Sequence, residues 1–261
     1  MCREPLAVTD LTVISETQQA LFDVIFVHGL GGDSRASWSS ESGYWPEWVA
    51  EANRSARVSA VSYSYGLSFF RRRSMTIRDH AIALLELLTA HGVGTRPLVF
   101  IAHSLGGVVV KELLRQATMM GPTYRSIWER TTAVVFLATP VGLSSVAQNP
   151  LFRLFGGLVT GPELYTLEEA SKFYRQQAPR KGITTLSFAA ARSVMVAPGS
   201  ADPGVPDAVV VPLDASDAEV AKPKSRSSLV VASVQRLLTN VQDLILEHRL
   251  PTVSIGDGSI A

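Results

Sequence analysis

The chain has 261 residues, of which 46% are hydrophobic and 18% are charged, and its formal net charge is +1. This length and composition predict one globular domain, residues 1–261, with a sizeable core. The near-zero charge argues against nucleic acid as a partner, because phosphate binding needs a concentrated basic face. The short cluster Arg71-Arg72-Arg73 is interpreted as a solvated loop, with peripheral contact to a membrane surface as the lesser alternative.

Cysteine use and the terminal sequences bear on the cellular compartment. Cys2 is the single cysteine, so an intramolecular disulfide is excluded and a reducing compartment fits. The first residues lack the apolar core of a signal peptide, and no run approaches about 18 apolar residues. We therefore expect a cytoplasmic protein without a membrane span. The oligomeric state cannot be read from the sequence.

Apolar strands alternate with amphipathic helices along the chain. This alternation predicts an α/β fold with a mostly parallel sheet covered by helices on both faces. Residues 144–178 look helical and contain two glycine breaks, so we expect them to form a small cap above the site. We expect residues from about 249 to 261 to form a flexible tail. Strands are expected at 11–15, 21–27, 58–65, 97–102, 132–138, 183–188 and 208–212, and helices at 45–53, from 76, at 105–119 and from about 227.

Ser104 lies between a buried strand and a helix, in the segment Ala102-His-Ser-Leu-Gly106. This is a variant of the G-x-S-x-G nucleophile elbow, a sharp turn that needs small residues on each side of the serine. Gly107 lets the new helix pack close to the sheet. The turn lifts the hydroxyl above the strand's carboxyl end, where ligands bind in open α/β sheets. The free N–H groups of the helix stabilise negative charge there. An ordinary strand-to-helix turn is the alternative.

A second glycine-rich loop, His28-Gly-Leu-Gly-Gly32, follows the strand at 21–27. It is neither a P-loop nor a dinucleotide fingerprint, since neither motif is complete. We expect it to direct a backbone N–H group at a bound oxyanion. A nucleotide- or phosphate-binding protein is retained as a minor alternative, and no cofactor or metal is predicted.

Four segments in family order resemble the α/β-hydrolase superfamily, and within it the lipase-like serine esterases of the serine-active-site-containing and GPI inositol-deacylase group. They are residues 24–32, 100–111, 135–140, and 198–204 with 221–223 behind. The resemblance implies a single-domain α/β-hydrolase fold and a small acyl ester or lipid-like ligand. It implies Ser104 as nucleophile, the N–H groups of Leu30 and Leu105 as the oxyanion hole, and His28, Gly29, His103 and Gly106 as supporting residues.

Three positions depart from the family pattern. Asp217 stands where the family's base, a histidine, is expected, because the segment before Lys222-Pro223 lacks one. Val141 replaces the histidine of a Thr-Pro-His segment, and Ala190 replaces the glutamate of a Phe-x-Glu segment. A serine hydroxyl needs a base in hydrogen-bond reach, and a carboxylate is a weak one. Asp202 is a candidate for the acid member, with a turn residue before proline as the equal alternative.

The other histidines do not supply the base. His28 is expected to support its loop, and His103 to point away from Ser104 because the elbow turns successive side chains apart. The sequence therefore predicts a serine ester hydrolase of esterase or lipase type with weak or lost activity. The alternative is an inactive pseudohydrolase that binds a ligand or a protein. The remaining histidines are assigned to helix positions away from Ser104: His80, His91 and His248.

Overall fold

The computed structural model describes residues 9–17, 19–29, 31–63, 75–140, 161–193 and 202–249, with side chains undescribed at 161, 162, 248 and 249. These residues form nine strands and seven helices. The strands are β1 Asp10–Ser15, β2 Phe22–Val27, β3 Ser39–Ser40, β4 Gly43–Tyr44, β5 Ala56–Ser62, β6 Leu98–His103, β7 Thr131–Leu137, β8 Thr184–Ala190 and β9 Val209–Leu213. The helices are α1 Trp45–Ala52, α2 Ile77–Ala90, α3 Leu105–Met119, α4 Pro122–Arg130, α5 Gly161–Lys181, α6 Asp217–Ala221 and α7 Leu229–Arg249.

Seven strands form one sheet in the order β1-β5-β2-β6-β7-β8-β9. The edge strand β1 is antiparallel to β5, and every other neighbour is parallel. All six residues of β2 are buried, as expected for a strand covered on both faces. The predicted α/β class with a mostly parallel sheet is confirmed. The carboxyl ends of the central strands β2, β6 and β7 lie side by side, and the site is built there.

Helices cover both faces of the sheet. One core cluster contains the buried stripes of α2 and α3 together with residues of α4 and α5. The other cluster holds the buried faces of α1, α6 and α7, with Trp38 and Trp45 packed edge-on against Phe26. Burying apolar side chains on both faces supplies the main stabilising free energy, at about 25 cal/mol per Å² of apolar surface.

Two local expectations need correction. The alternating strand expected at 58–65 is an interior strand, β5, buried at six of its seven residues, because β1 and β2 pair with its two edges. No helix is predicted directly after residue 119, but Pro122 begins α4. A proline suits the first turn of a helix because its missing N–H has no intrahelical partner there.

The region predicted to be a cap is described only in part. Residues 144–160 lie outside the described residues, so the cap stays a prediction for them. Residues 161–178 belong to α5, which packs against α3. Leu167, Ala170, Tyr174 and Ala178 are fully buried, so this helix contributes to the core on one face of the sheet. The tail predicted at about 249–261 also lies outside the described residues, apart from the backbone of Arg249.

One helix within the described ranges is long and apolar enough to cross a membrane. It is the segment Leu229–Glu247 of α7, with a mean hydropathy of 1.2. Val230, Val234 and Leu238 of this helix are buried against the sheet. A core helix with one apolar stripe meets the same length and hydropathy criteria, so this feature is weak evidence for a membrane segment.

The first turn of α3 approaches β7 very closely at Gly107. A Cβ placed on Gly107 would lie 2.2 Å from Thr139 Oγ1 and 2.5 Å from Thr139 Cγ2. Thr139 is β-branched and fully buried, so it has little freedom to move aside. The glycine therefore sets the distance between helix and sheet.

We predict that Gly107→Ala lowers the free energy of unfolding by about 1–3 kcal/mol, because the added methyl group overpacks this contact. Adding Thr139→Ala should recover part of the loss, while Thr139→Ala alone serves as the control. Denaturant titrations of the three variants would measure this coupling. An unchanged free energy of unfolding in Gly107→Ala would show that helix and strand are farther apart than described.

Candidate active site at the nucleophile elbow

Ser104 occupies a sharp turn between β6 and α3. Its backbone has φ 51° and ψ −126°, an uncommon conformation for a residue with a side chain, which costs on the order of 1–3 kcal/mol. The Ser104 N–H donates to the Leu137 carbonyl at 2.8 Å, and the Gly107 N–H donates to the Ser104 carbonyl at 3.0 Å. These bonds hold the turn, and the side chain is half-buried at the sheet edge.

The neighbouring loop packs directly on this turn. A Cβ on Gly29 would lie 2.9 Å from Ser104 Cβ and 3.1 Å from the His103 carbonyl oxygen. A Cβ on Gly106 would lie 2.3 Å from the His28 carbonyl oxygen and 2.5 Å from that of Val27. Both contacts are with backbone or Cβ atoms, which cannot rotate away. Only glycine fits at these two positions, so the loop after β2 and the elbow after β6 form one rigid unit.

Of the two residues predicted to form the oxyanion hole, the structure describes Leu105 but not Leu30. Leu105 is the first residue of α3 and is buried, and an N–H group at this helix position has no intrahelical acceptor. Its N–H is therefore available to a developing negative charge beside Ser104. Leu30 lies outside the described residues, so its assignment stays a prediction.

Both ring nitrogens of His28 form hydrogen bonds that hold the loop after β2 in place. Its Nδ1–H donates to the Gly29 carbonyl at 2.7 Å, and its Nε2 accepts from the Tyr63 N–H at 3.2 Å. The Tyr63 hydroxyl donates to the His28 carbonyl at 2.6 Å, and the two rings stack with centroids 4.3 Å apart. Burial lowers the pKa of His28, which favours the neutral ring that these bonds require. Both ring nitrogens are occupied, as a loop-supporting role requires.

His103 points from the elbow towards α6. Its Nε2–H donates to the backbone carbonyl of Asp217 at 2.8 Å, and its ring stands edge-on to Trp38 with centroids 6.3 Å apart. Burial lowers its pKa, so the ring is held in the neutral form. Within the described ranges, no hydrogen bond joins this imidazole to the Ser104 hydroxyl.

Asp217, which occupies the base position of the family pattern, begins α6 beside the elbow. Its Oδ1 accepts a hydrogen bond from the Ser193 hydroxyl at 2.6 Å. The helix start is fixed by a capping box between Ser216 and Glu219. Hydrogen bonds from Ser216, helped by Lys224 and Arg192, lower the pKa of Glu219 to about 2. The segment is thus well anchored, but it carries a carboxylate where an imidazole is expected.

Asp202 forms a local turn. Its Oδ1 accepts the N–H of Gly204, two residues ahead, at 2.8 Å, and the residue is exposed. This is the geometry of an aspartate that stabilises its own turn. The described residues show no hydrogen bond from Asp202 to a histidine, and its assignment as the acid member stays a prediction.

The remaining histidines lie away from the serine. His80 is buried on α2 beside Tyr63, and burial lowers its pKa. His91 caps the end of α2 and bonds the Leu87 carbonyl at 2.9 Å. The side chain of His248 is undescribed. Among the residues the structure covers, no group of three or more His, Cys, Asp or Glu could hold a metal ion.

Sequence reasoning missed two residues of this region. Ser193 was not singled out, although it bonds Asp217, because it lies 24 positions earlier with no pattern to link them. Lys111 belongs to the matching elbow segment, yet no role was assigned to it. A readable signal existed for Lys111: it follows Ser104 and Gly107 on the same face of α3, at helical spacing, in an otherwise apolar stretch.

The assembled groups can bind an acyl carbonyl and polarise it. Ser104 presents a hydroxyl at the carboxyl end of β6, and α3 directs its first N–H groups and positive dipole end at the same place. The described residues place no imidazole in hydrogen-bond reach of that hydroxyl. The described part of the site therefore combines an elbow serine and a helix N-terminus, without a histidine hydrogen-bonded to the serine.

Solved structures with the same fold include esterase-like proteins. An alpha/beta hydrolase superfamily protein from Enterococcus faecalis aligns over 93% of this chain and 99% of its own, with a TM-score of 0.59 and 13% identity. A carboxylesterase of Nitrososphaera gargenis aligns over 95% of this chain and 99% of its own, with a TM-score of 0.58 and 13% identity. At these identities the likeness concerns the fold.

Sequence comparison extends the likeness beyond the fold. Protein SERAC1 of Bos taurus is 28% identical over an alignment 263 positions long, gaps included, and the alignment covers 85% of this chain and 39% of that protein. The chain thus spans about two fifths of the length of this relative. The family model described as the alpha/beta hydrolase family matches residues 24–250. With the elbow, the sheet order and this match together, the chain belongs to the alpha/beta hydrolase family.

Proposed function

We propose that this chain is an esterase-type hydrolase in which Ser104 is positioned to accept an acyl group and turnover is slow. The observation that carries the proposal is the combination of an elbow backbone at Ser104 with an aspartate, Asp217, at the family's base position. Its ligand is an acyl ester or lipid-like molecule, since an elbow serine with backbone donors suits acyl transfer.

Each group has a defined part in the reaction. The Ser104 oxygen attacks the ester carbonyl, and the N–H of Leu105 stabilises the oxyanion that forms. The proton of the hydroxyl must leave as the bond forms, and the leaving alcohol must later gain one. With His28 and His103 bonded elsewhere, those transfers fall to water, which is why we expect slow turnover.

A second candidate is a binding protein that uses the same site without chemistry. The observation in its favour is that the Asp217 carboxylate already accepts the Ser193 hydroxyl, which directs it to a neighbour other than Ser104. On this hypothesis the elbow and the loop after β2 shape a pocket for an ester-like ligand or a partner protein.

We predict that a fluorophosphonate probe labels Ser104 far more slowly than it labels a working serine esterase. Loss of the base in a serine hydrolase reduces turnover by roughly a millionfold, and the probe depends on the same activated hydroxyl. Mass spectrometry would locate the adduct, with Ser104→Ala as control. Rapid, stoichiometric labelling that disappears in Ser104→Ala would refute the missing base.

We also predict that Asp217→His raises the hydrolysis of 4-nitrophenyl acetate by at least about a hundredfold, the usual contribution of a positioned general base. Asp217→Asn is the matched control, since it removes the carboxylate without adding a base. Ser104→Ala combined with Asp217→His should return the rate to background. A folded Asp217→His protein without this gain would count against the proposed base position and favour the binding protein.

A further inference from the structure

Lys111 is a fully buried lysine without a carboxylate partner. It lies on α3, and 1% of its surface is exposed. Its ammonium nitrogen lies over the Phe136 ring, 4.8 Å from the centroid, and no ion pair joins it to any described carboxylate. Placing a charge inside a protein without a counter-charge costs several kcal/mol. Such a residue calls for an explanation beyond packing.

The carboxylates of this region are engaged elsewhere. Glu112, the next residue, bonds Arg115 at 2.7 Å and Gln116 at 2.6 Å. Glu163 on α5 accepts the N–H of Ile77 at 3.1 Å. Segments 141–160 and 194–201 contain no aspartate or glutamate, so they have no carboxylate to offer. The described residues and these two segments therefore supply no counter-charge to Lys111.

A second cation, Arg175, lies on α5, the helix that packs against α3. Arg175 on α5 is close enough that its charge, after burial itself, contributes to lowering the pKa of Lys111 to about 7. The stem of Arg175 packs on the turn at Gly204, where a Cβ would lie 3.0 Å from Arg175 Cδ. Arg175 is exposed whereas Lys111 is buried. One positive charge therefore lies at the surface and the other in the interior.

Two buried hydroxyl groups, one packed on α3 and one on α5, lack hydrogen-bond partners within the part of the chain that the structure describes. Thr139 Oγ1, which packs on Gly107, is buried without a hydrogen-bond partner among the described residues. Ser171 Oγ, one helical turn before Arg175 on α5, is in the same state. Buried hydroxyls normally have partners. Two cations and two donors without acceptors fit a ligand that brings negative charge and oxygen atoms.

Lys111 lies on the helix that begins directly after the elbow serine, Ser104. Ser104, Gly107 and Lys111 fall on one face of the helix that follows the elbow, and seven residues of helix span roughly 10 Å. Long side chains on a helix lean towards its N-terminus, and the Lys111 ammonium lies over Phe136, which pairs with Ala102, two residues before Ser104. A ligand with a chain of a few carbon atoms could reach from the Ser104 hydroxyl to the Lys111 ammonium.

We propose that Lys111 and Arg175 bind the anionic group of a ligand whose ester lies at Ser104. This rests on the proposed function and narrows its substrate class to acyl esters that also carry a carboxylate or a phosphate. An ammonium and a guanidinium together match the two oxygens of such a group, through charge-assisted hydrogen bonds. Neutral esters of the same shape would give the Lys111 amine no anionic partner.

The test is a calorimetric titration of the full chain carrying Ser104→Ala, so that the result does not depend on whether the serine is reactive. The probes are monomethyl adipate for a carboxylate, glycerol 3-phosphate for a phosphate, and dimethyl adipate as the neutral match. We expect one of the anions to bind and the neutral diester to bind at least about tenfold more weakly, the usual scale of a charged hydrogen bond. Equal binding of dimethyl and monomethyl adipate, or no binding by either anion, would overturn the proposal.

Variants connect the binding to Lys111. In Lys111→Met, anion binding should weaken by about tenfold or more, while Lys172→Met, on the exposed face of α5, should leave it unchanged. Replacing an unpaired buried ammonium by an apolar chain of similar length should keep or raise Tm. A lower Tm with unchanged anion affinity would assign Lys111 a structural role and reject the proposal.

Proton uptake provides a readout that a structural lysine would not give. Because burial and Arg175 lower the pKa of Lys111 to about 7, about half or more of the molecules hold a neutral amine at pH 7.5. An anion beside the amine favours its charged form and raises the pKa. Titrations in two buffers of different ionisation enthalpy should therefore show proton uptake on binding. Uptake that persists in Lys111→Met would contradict the assignment.

Discussion

The close approach of α3 to the carboxyl ends of β2 and β7 is the constraint on which the site depends. Gly106 lies against the carbonyls of Val27 and His28, and Gly107 against Thr139. At these distances any side chain would push the helix away from the sheet. The turn at Ser104, with φ 51°, exists because the helix must start this close to the strand before it. The position of Ser104 is therefore a consequence of packing, and it would persist whether or not the serine takes part in chemistry.

The proton-handling part of the site is much less constrained. Asp217 begins a short helix that is fixed by its own cap and by ion pairs from Arg192 and Lys224 to Glu219. None of these bonds needs a particular side chain at position 217, because His103 bonds the main-chain carbonyl there. The cap of α6 and the bond from His103 would thus be compatible with other side chains at position 217. The elbow depends on the glycine contacts of α3, whereas the proposed proton transfer depends on the side chain at position 217. The two can therefore change independently.

The sequence predicted the features that arise locally and missed those that depend on distant contacts. The strand, elbow and helix around Ser104 could be predicted because apolar runs, small residues and their order are local signals. The helix beginning at Pro122 was missed because proline both ends and begins helices. The bond between Ser193 and Asp217 joins residues 24 positions apart, and no periodicity encodes it. The isolation of Lys111 from carboxylates also became visible only in three dimensions.

The rigid contact of Gly29 with the Cβ of Ser104 and the His103 carbonyl has an evolutionary consequence. A lineage that abandons hydrolysis cannot easily abandon the elbow, because mutations there would loosen the loop after β2 and the helix after β6 together. Selection for a folded chain is enough to preserve the motif's glycines. A search by this motif alone would therefore find folded chains of this family whether or not they catalyse hydrolysis.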